Sequence, residues 1–147
     1  MSERSIGLVE LSSVAAGVEA AVNAGVLVAN GCLIDSFVIA NVHPDVFVAL
    51  GRTQPSQPDG AFGVLESFNV ATLIQASDVV AKSADVQLLE IRLAMALGGK
   101  AFCTMTGDVA SVNAAISAGR QVLADAGVLV NAIVLSRPHP DVYREVV

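Results

Sequence analysis

Leu97-Gly-Gly-Lys-Ala-Phe-Cys-Thr-Met-Thr-Gly-Asp108 sets a glycine turn before a strand-like run and a helix-opening Gly-Asp pair. Gly98-Gly99 supplies the turn, and Ala101–Thr106 reads as a strand. Beyond Asp108, Val112, Ala115, Ile116, Gly119 and Val122 fall on one face of a helix spanning Val109–Ala126. Working backwards, Val86–Leu97 reads as extended. Val70–Ala84 places Leu73, Ile74, Ser77, Val80 and Ala81 at helical spacing behind a candidate N-cap, Asn69. Ala61–Glu66 is a short strand after a turn. Forward of the second helix, Val128–Leu135 is a last strand, stopped by Arg137-Pro-His-Pro140 before a helical tail, Asp141–Val147. The order is βαββαβ, the ferredoxin-like α+β arrangement (an α/β sandwich) with both helices on one face of an antiparallel sheet.

The same pattern occurs earlier in the chain. Ile6-Gly-Leu-Val-Glu10 matches Phe62-Gly-Val-Leu-Glu66 at an offset of 56, and Val18–Gly25 matches Val112–Gly119 at an offset of 94. His43-Pro-Asp-Val46 matches His139-Pro-Asp-Val142 at an offset of 96. The chain therefore holds two unequal copies of one unit, and the first lacks 38 residues present in the second. Residues 1–50 form the incomplete copy, the Pro- and Gly-rich stretch 51–60 a linker, and 61–147 the complete copy. The first copy reads as a strand (Ile6–Leu11), a helix (about Val14–Val28) and a strand (Ile34–Asn41). A direct strand–helix–strand crossover yields parallel strands, whereas the first and last strands of a βαββαβ sheet run antiparallel. Either these strands pair outside their own segment, or the copy is truncated or permuted by loss of an internal piece.

Composition narrows the function. Of the residues 54% are hydrophobic, 4% aromatic and 15% charged, with a net charge of −6. Disorder is excluded for most of the chain, and a nucleic-acid partner is not expected without clustered Lys and Arg. The longest uncharged stretch, Ala20–Ile34, is short of a bilayer span, so no membrane partner is expected. Cys32 and Cys103 form no metal spacing and no disulfide framework, which points to a reducing cytosol.

Taken together, Glu66, the Asp78-x-x-x-Lys82 helix, Gly98-Gly99-Lys100, Thr106-Gly-Asp-Val109 and Arg137-Pro-His-Pro140 resemble a bacterial microcompartment (BMC) shell protein domain. Ile34–Asn41 followed by His43-Pro, a linker and a second domain is similar to tandem-domain shell proteins of the propanediol-utilisation and mycobacterial type. The resemblance implies a structural subunit of a cytoplasmic shell and no enzyme. Single-domain members form flat hexamers and tandem members form trimers that mimic them, tiling with other shell proteins around encapsulated enzymes. It also implies that Ala96, Leu97, Gly98, Gly99 and Lys100 line a central pore for small metabolites. Some tandem relatives hold an iron–sulfur cluster on the first domain's loop. That loop falls in the missing 38 residues, so no cofactor is implied.

Individual residues admit plainer readings. Gly98-Gly99-Lys100 suits an anion cradle or a simple β-turn. His43 and His139 occupy the same place in the repeat and read as turn and contact elements rather than metal ligands. Lys82, with Asp78 one helical turn before it, is the expected lateral contact by resemblance, with Arg137 and His139 near the same assembly edge. Cys103 reads as an inert core residue. No nucleophile, base or paired-carboxylate site is visible. The alternative function, by fold analogy, is a ferredoxin-like regulatory oligomer that binds a small molecule.

Overall fold

The computed structural model describes residues 15–51, 60–93 and 100–146. The chain divides into two compact units, Met1–Ala40 and Asn41–Val147.

The second unit carries α2 (Pro44–Gly51), β1 (Ala61–Ser67), α3 (Val70–Ser83), β2 (Val86–Leu93), β3 (Ala101–Gly107), α4 (Val109–Asp125), β4 (Leu129–Leu135) and α5 (Pro140–Val146). Its sheet has the order β2-β3-β1-β4 with every neighbour antiparallel, as the βαββαβ reading requires. Local chemistry sets the helix ends. Asn69 accepts the Thr72 N–H at 3.1 Å and starts α3. Asp108 accepts the N–H groups of Ala110 and Ser111, each at 2.9 Å, and starts α4. Gly127, at φ 69°, ends α4 by turning the chain so that the Val128 N–H returns to the Leu123 carbonyl at 3.0 Å. α3 and α4 cover one sheet face, and the core between holds Leu65, Leu73, Val80, Ile91, Cys103, Met105, Val112 and Leu123.

Two glycines let these layers approach. A Cβ on Gly63 would lie 2.9 Å from Met105 Cγ and 3.0 Å from Val112 Cγ1. A Cβ on Gly119 would collide with Leu65 Cδ1 and lie 2.7 Å from Val80 Cγ2. The opposite face is open and forms a shallow trough of about 260 Å³ lined by Phe62, Val64, Glu66, Phe102, Thr104, Asn131 and Ile133.

Two expectations change, and a third falls partly outside the described residues. The first copy's tail does not stay with the first copy: α2 sends Val46 (1% exposed) and Ala49 (0%) into the core of the second unit. The break between units therefore falls after Ala40, upstream of the linker expected at 51–60. Secondly, Ile34–Asn41 is not a strand. It has no regular structure up to a turn at Ala40–Asn41, where Asn41 takes φ 55°. A strand exists by its ladder, and no ladder among the described residues includes this segment. Thirdly, β2 ends at Leu93, and the rest of the extended run expected to Leu97 lies outside the described residues.

The first unit contains α1 (Ala15–Ala29), close to the expected 14–28, and a 3-10 turn at Asn30–Cys32. The strand expected at Ile6–Leu11 lies outside the described residues. Ala15–Cys32 is long and apolar enough to cross a membrane by length and composition alone, with Glu19 its one charge.

Candidate assembly edge and pore rim

The first residues expected at an assembly edge lie on α3. Asp78 and Lys82 stand one turn apart, and Lys82 Nζ lies 2.6 Å from Asp78 Oδ2. Asp78 is buried while Lys82 is partly exposed, so a fixed carboxylate holds a surface ammonium. The burial comes from α2. The backbone N–H of His43, at the start of that helix, donates to Asp78 Oδ1 at 2.7 Å. Asp78 thus uses both oxygens, one to anchor α2 and one to aim Lys82, in charge-assisted bonds stronger than neutral ones.

His43 and His139 perform the same local task. His43 Nδ1 accepts the Asp45 N–H at 3.3 Å, and His139 Nδ1 accepts the Asp141 N–H at 3.3 Å. Each histidine caps a helix whose first residue is proline, which lacks the N–H that would go unsatisfied there. Asp45 and Asp141 then place a carboxylate in the first turn, favourable at the positive helix end. Both rings thus serve the turn that opens a helix. His139 and Arg137 lie exposed at the end of β4, open to a neighbour.

Of the residues expected to line a pore, Ala96, Leu97, Gly98 and Gly99 lie outside the described residues. Lys100 is described and half-buried. Its Nζ sits 3.6 Å from Glu66 Oε1 and 5.6 Å from the centre of the Phe68 ring. Carboxylate and ring face together steer the ammonium at the base of the glycine loop.

Sequence reasoning missed two groups. Glu90, buried in β2, receives Arg92 Nε at 3.0 Å and Nη2 at 2.7 Å, and the guanidinium lies 5.4 Å over the Phe102 ring. Glu90 and Arg92 stand two residues apart on one face of β2, just beyond a bulge between Leu88 and Glu90. Tyr143 meets Phe62 edge to face with ring centres 5.6 Å apart, and its hydroxyl donates to the Gly60 carbonyl at 2.9 Å. This contact pins α5 beside β1.

Cys103 is buried, and burial pushes its thiol up to about 12 despite the Ser77 hydroxyl that favours the thiolate. It is inert, while Cys32 is exposed. Among the described residues, no three His, Cys, Asp or Glu side chains gather to hold a metal ion.

Comparison with known proteins agrees with this geometry. The BMC domain family model matches residues 61–138, the span from β1 to the turn after β4. The bacterial microcompartment shell protein PduT of Citrobacter freundii is 32% identical over 130 residues, covering 88% of this chain and 71% of that relative. The shell protein EutM of Escherichia coli K12 is 37% identical over 81 residues, 55% of this chain and 81% of its own. A crystal structure of a microcompartment protein from Desulfitobacterium hafniense DCB matches with a TM-score of 0.80 and 41% identity, over 88% of this chain and 72% of that one. Both named relatives are bacterial microcompartment shell proteins. With a complete βαββαβ unit and these matches, the chain belongs to the bacterial microcompartment shell protein family.

Proposed function

We propose that the chain is a shell subunit that tiles edge to edge in a cytoplasmic microcompartment and leaves a narrow axial passage for small metabolites. The observation that supports this reading is the Asp78–Lys82 pair. A lysine meant for a two-fold contact with its own counterpart must be held in place before the neighbour arrives, and a buried carboxylate bonded to α2 does that. Arg137 and His139 supply the companion surface. Lys100, steered by Glu66 and Phe68, places a positive charge at the root of the pore loop, so the passage favours anionic or polar solutes. Passage is passive, and the subunit has no catalytic role. Other shell proteins and encapsulated enzymes are its partners.

The ring is a trimer with a six-fold outline if both copies act as domains, as in tandem shell proteins. One observation favours six chains instead: only the second unit is complete among the described residues, and α1 buries no residue. Light scattering separates the two, at three chains or six. Electron microscopy of concentrated protein tests the tiling and should show flat sheets or tubes. A discrete oligomer without sheets, stabilised by a small molecule, would support the regulatory alternative.

A further inference from the structure

The open face of the sheet gathers hydrogen-bond donors that lack an acceptor. The register sets Arg92 opposite Phe102, Phe102 opposite Glu66 and Glu66 opposite Asn131, one row across all four strands. Lys100 stands two residues before Phe102, so it shares that face. It lies diagonal to Arg92, about 7–8 Å away between Cα atoms, within reach of long side chains. In the next row, Thr104 pairs with Glu90 on one side and Val64 on the other. Glu66, Phe102, Thr104, Asn131, Val64 and Ile133 all line the trough of about 260 Å³.

Each cation is set against a carboxylate and an aromatic ring, and each keeps donors in reserve. Arg92 directs Nε and Nη2 at one oxygen, Glu90 Oε1, and lies over Phe102. A guanidinium has five N–H donors, and Nη1 donates to no acceptor among the described residues. Lys100 Nζ is 3.6 Å from Glu66 Oε1, an ion pair longer than a hydrogen bond. Asn131 Oδ1 accepts the Ala132 N–H at 2.9 Å, while Nδ2 donates to no acceptor among the described residues. Thr104 is 1% exposed, and its hydroxyl has no hydrogen-bond partner. A buried hydroxyl left so is costly until an acceptor arrives. The two carboxylates balance the two cations, so net charge does not select the ligand. The surplus of donors does.

We propose that the trough binds a small carboxylate with an apolar body. The carboxylate sits between Arg92 and Lys100, where charge-assisted bonds are strong. The exposed Lys100–Glu66 pair is a weak competitor for it. The body lies over Phe102, Val64 and Ile133, the last 41% exposed in the single chain. Inorganic phosphate meets the same donors but leaves this apolar floor in water. The site shares Lys100 with the passage proposed above, yet it is built within one chain and needs no ring.

Methyl NMR of the full chain, titrated with hexanoate, hexanol and inorganic phosphate, tests this. Hexanoate should move the Val64 and Ile133 methyl signals to saturation. Hexanol, without the carboxylate, and phosphate, without the body, should each bind about ten-fold more weakly. Lys100→Gln should weaken hexanoate by about ten-fold, and Glu66→Gln, which removes the competing carboxylate, should tighten it. Arg92 is left in place because it also serves the buried Glu90. If Lys100→Gln disturbs the fold, Asn131→Ala at an exposed position carries the test, again by weaker binding. Hexanol or phosphate binding as tightly as hexanoate would overturn the proposal, as would no saturable shift. So would contacts from a second chain to the Val64 and Ile133 methyls, which would give the trough to another copy. Light scattering on the same samples keeps the two readings apart: an absence of rings would sink the shell subunit and leave the site standing.

Discussion

The backbone N–H of His43 donates to Asp78 Oδ1 at 2.7 Å, joining residues 35 apart in sequence. One carboxylate thereby couples the docking of α2 to the placement of Lys82. Asp78→Ala should lower unfolding free energy by about 1–3 kcal/mol, because a part-buried N–H loses a charged acceptor. Urea unfolding measures this. A stability loss under about 0.5 kcal/mol, the size of ordinary surface effects, would show that α2 is held by Val46 and Ala49 alone.

Lys82→Ala should behave differently. The ammonium is partly exposed and its pair with Asp78 is an ordinary helical one, so stability should shift by less than about 0.5 kcal/mol. Rings should remain intact by light scattering while sheets vanish from micrographs. Sheets that persist unchanged would remove Lys82 from the edge.

The two cysteines should separate cleanly in a thiol assay. At pH 8, Cys32 should react at once and Cys103 only on unfolding. Because burial raises the Cys103 thiol from 9.0 to about 12, its contribution to stability is fully present below pH 9. It is lost as pH climbs from there towards 12, where the unfolded thiol ionises first. A melting temperature that is flat across that window would contradict the burial.

Asp108 carries the opposite sign. The Ser111 hydroxyl, followed by the Ser111 and Ala110 N–H groups, holds its carboxyl below the ordinary 3.8. Its capping contribution is present above that value and fades as pH falls below it. Asp108→Ala should therefore lower the melting temperature at pH 7 and lose much of that effect near pH 2, read by circular dichroism.

Gly119→Ala should destabilise the second unit by about 1–3 kcal/mol, because the added methyl meets Leu65 and Val80 in a packed core. An unchanged denaturation midpoint would mean that the α3–α4 layer yields more easily than its distances suggest.

How much of this was legible in the residues depends on range. Asn69, Asp108 and the spacing of Val112, Ala115, Ile116 and Gly119 act within a few residues, and α3, α4 and the strands around them stand where those signals put them. Asp78 and Lys82 are one turn apart, so their pairing too was readable. The contact of His43 with Asp78 was not, because nothing in a local pattern says which distant backbone will cover a carboxylate. Ile34–Asn41 failed for the converse reason. It has a strand's composition, but a strand is a relation between two segments, and no ladder among the described residues includes it.

The placement of α2 bears on how such chains are copied and cut. The repeated stretch ends with a His-Pro-Asp helix, yet the folded body in the second half starts with the helix that closes the preceding repeat. Duplication and folding are out of phase by one helix. An excision at the Pro-rich stretch would follow the genetic seam and leave a notch where Val46 and Ala49 belong, whereas a cut after Ala40 would carry the plug along. For shell engineering by swapping modules, the safe joint lies one helix upstream of where the repeat draws it.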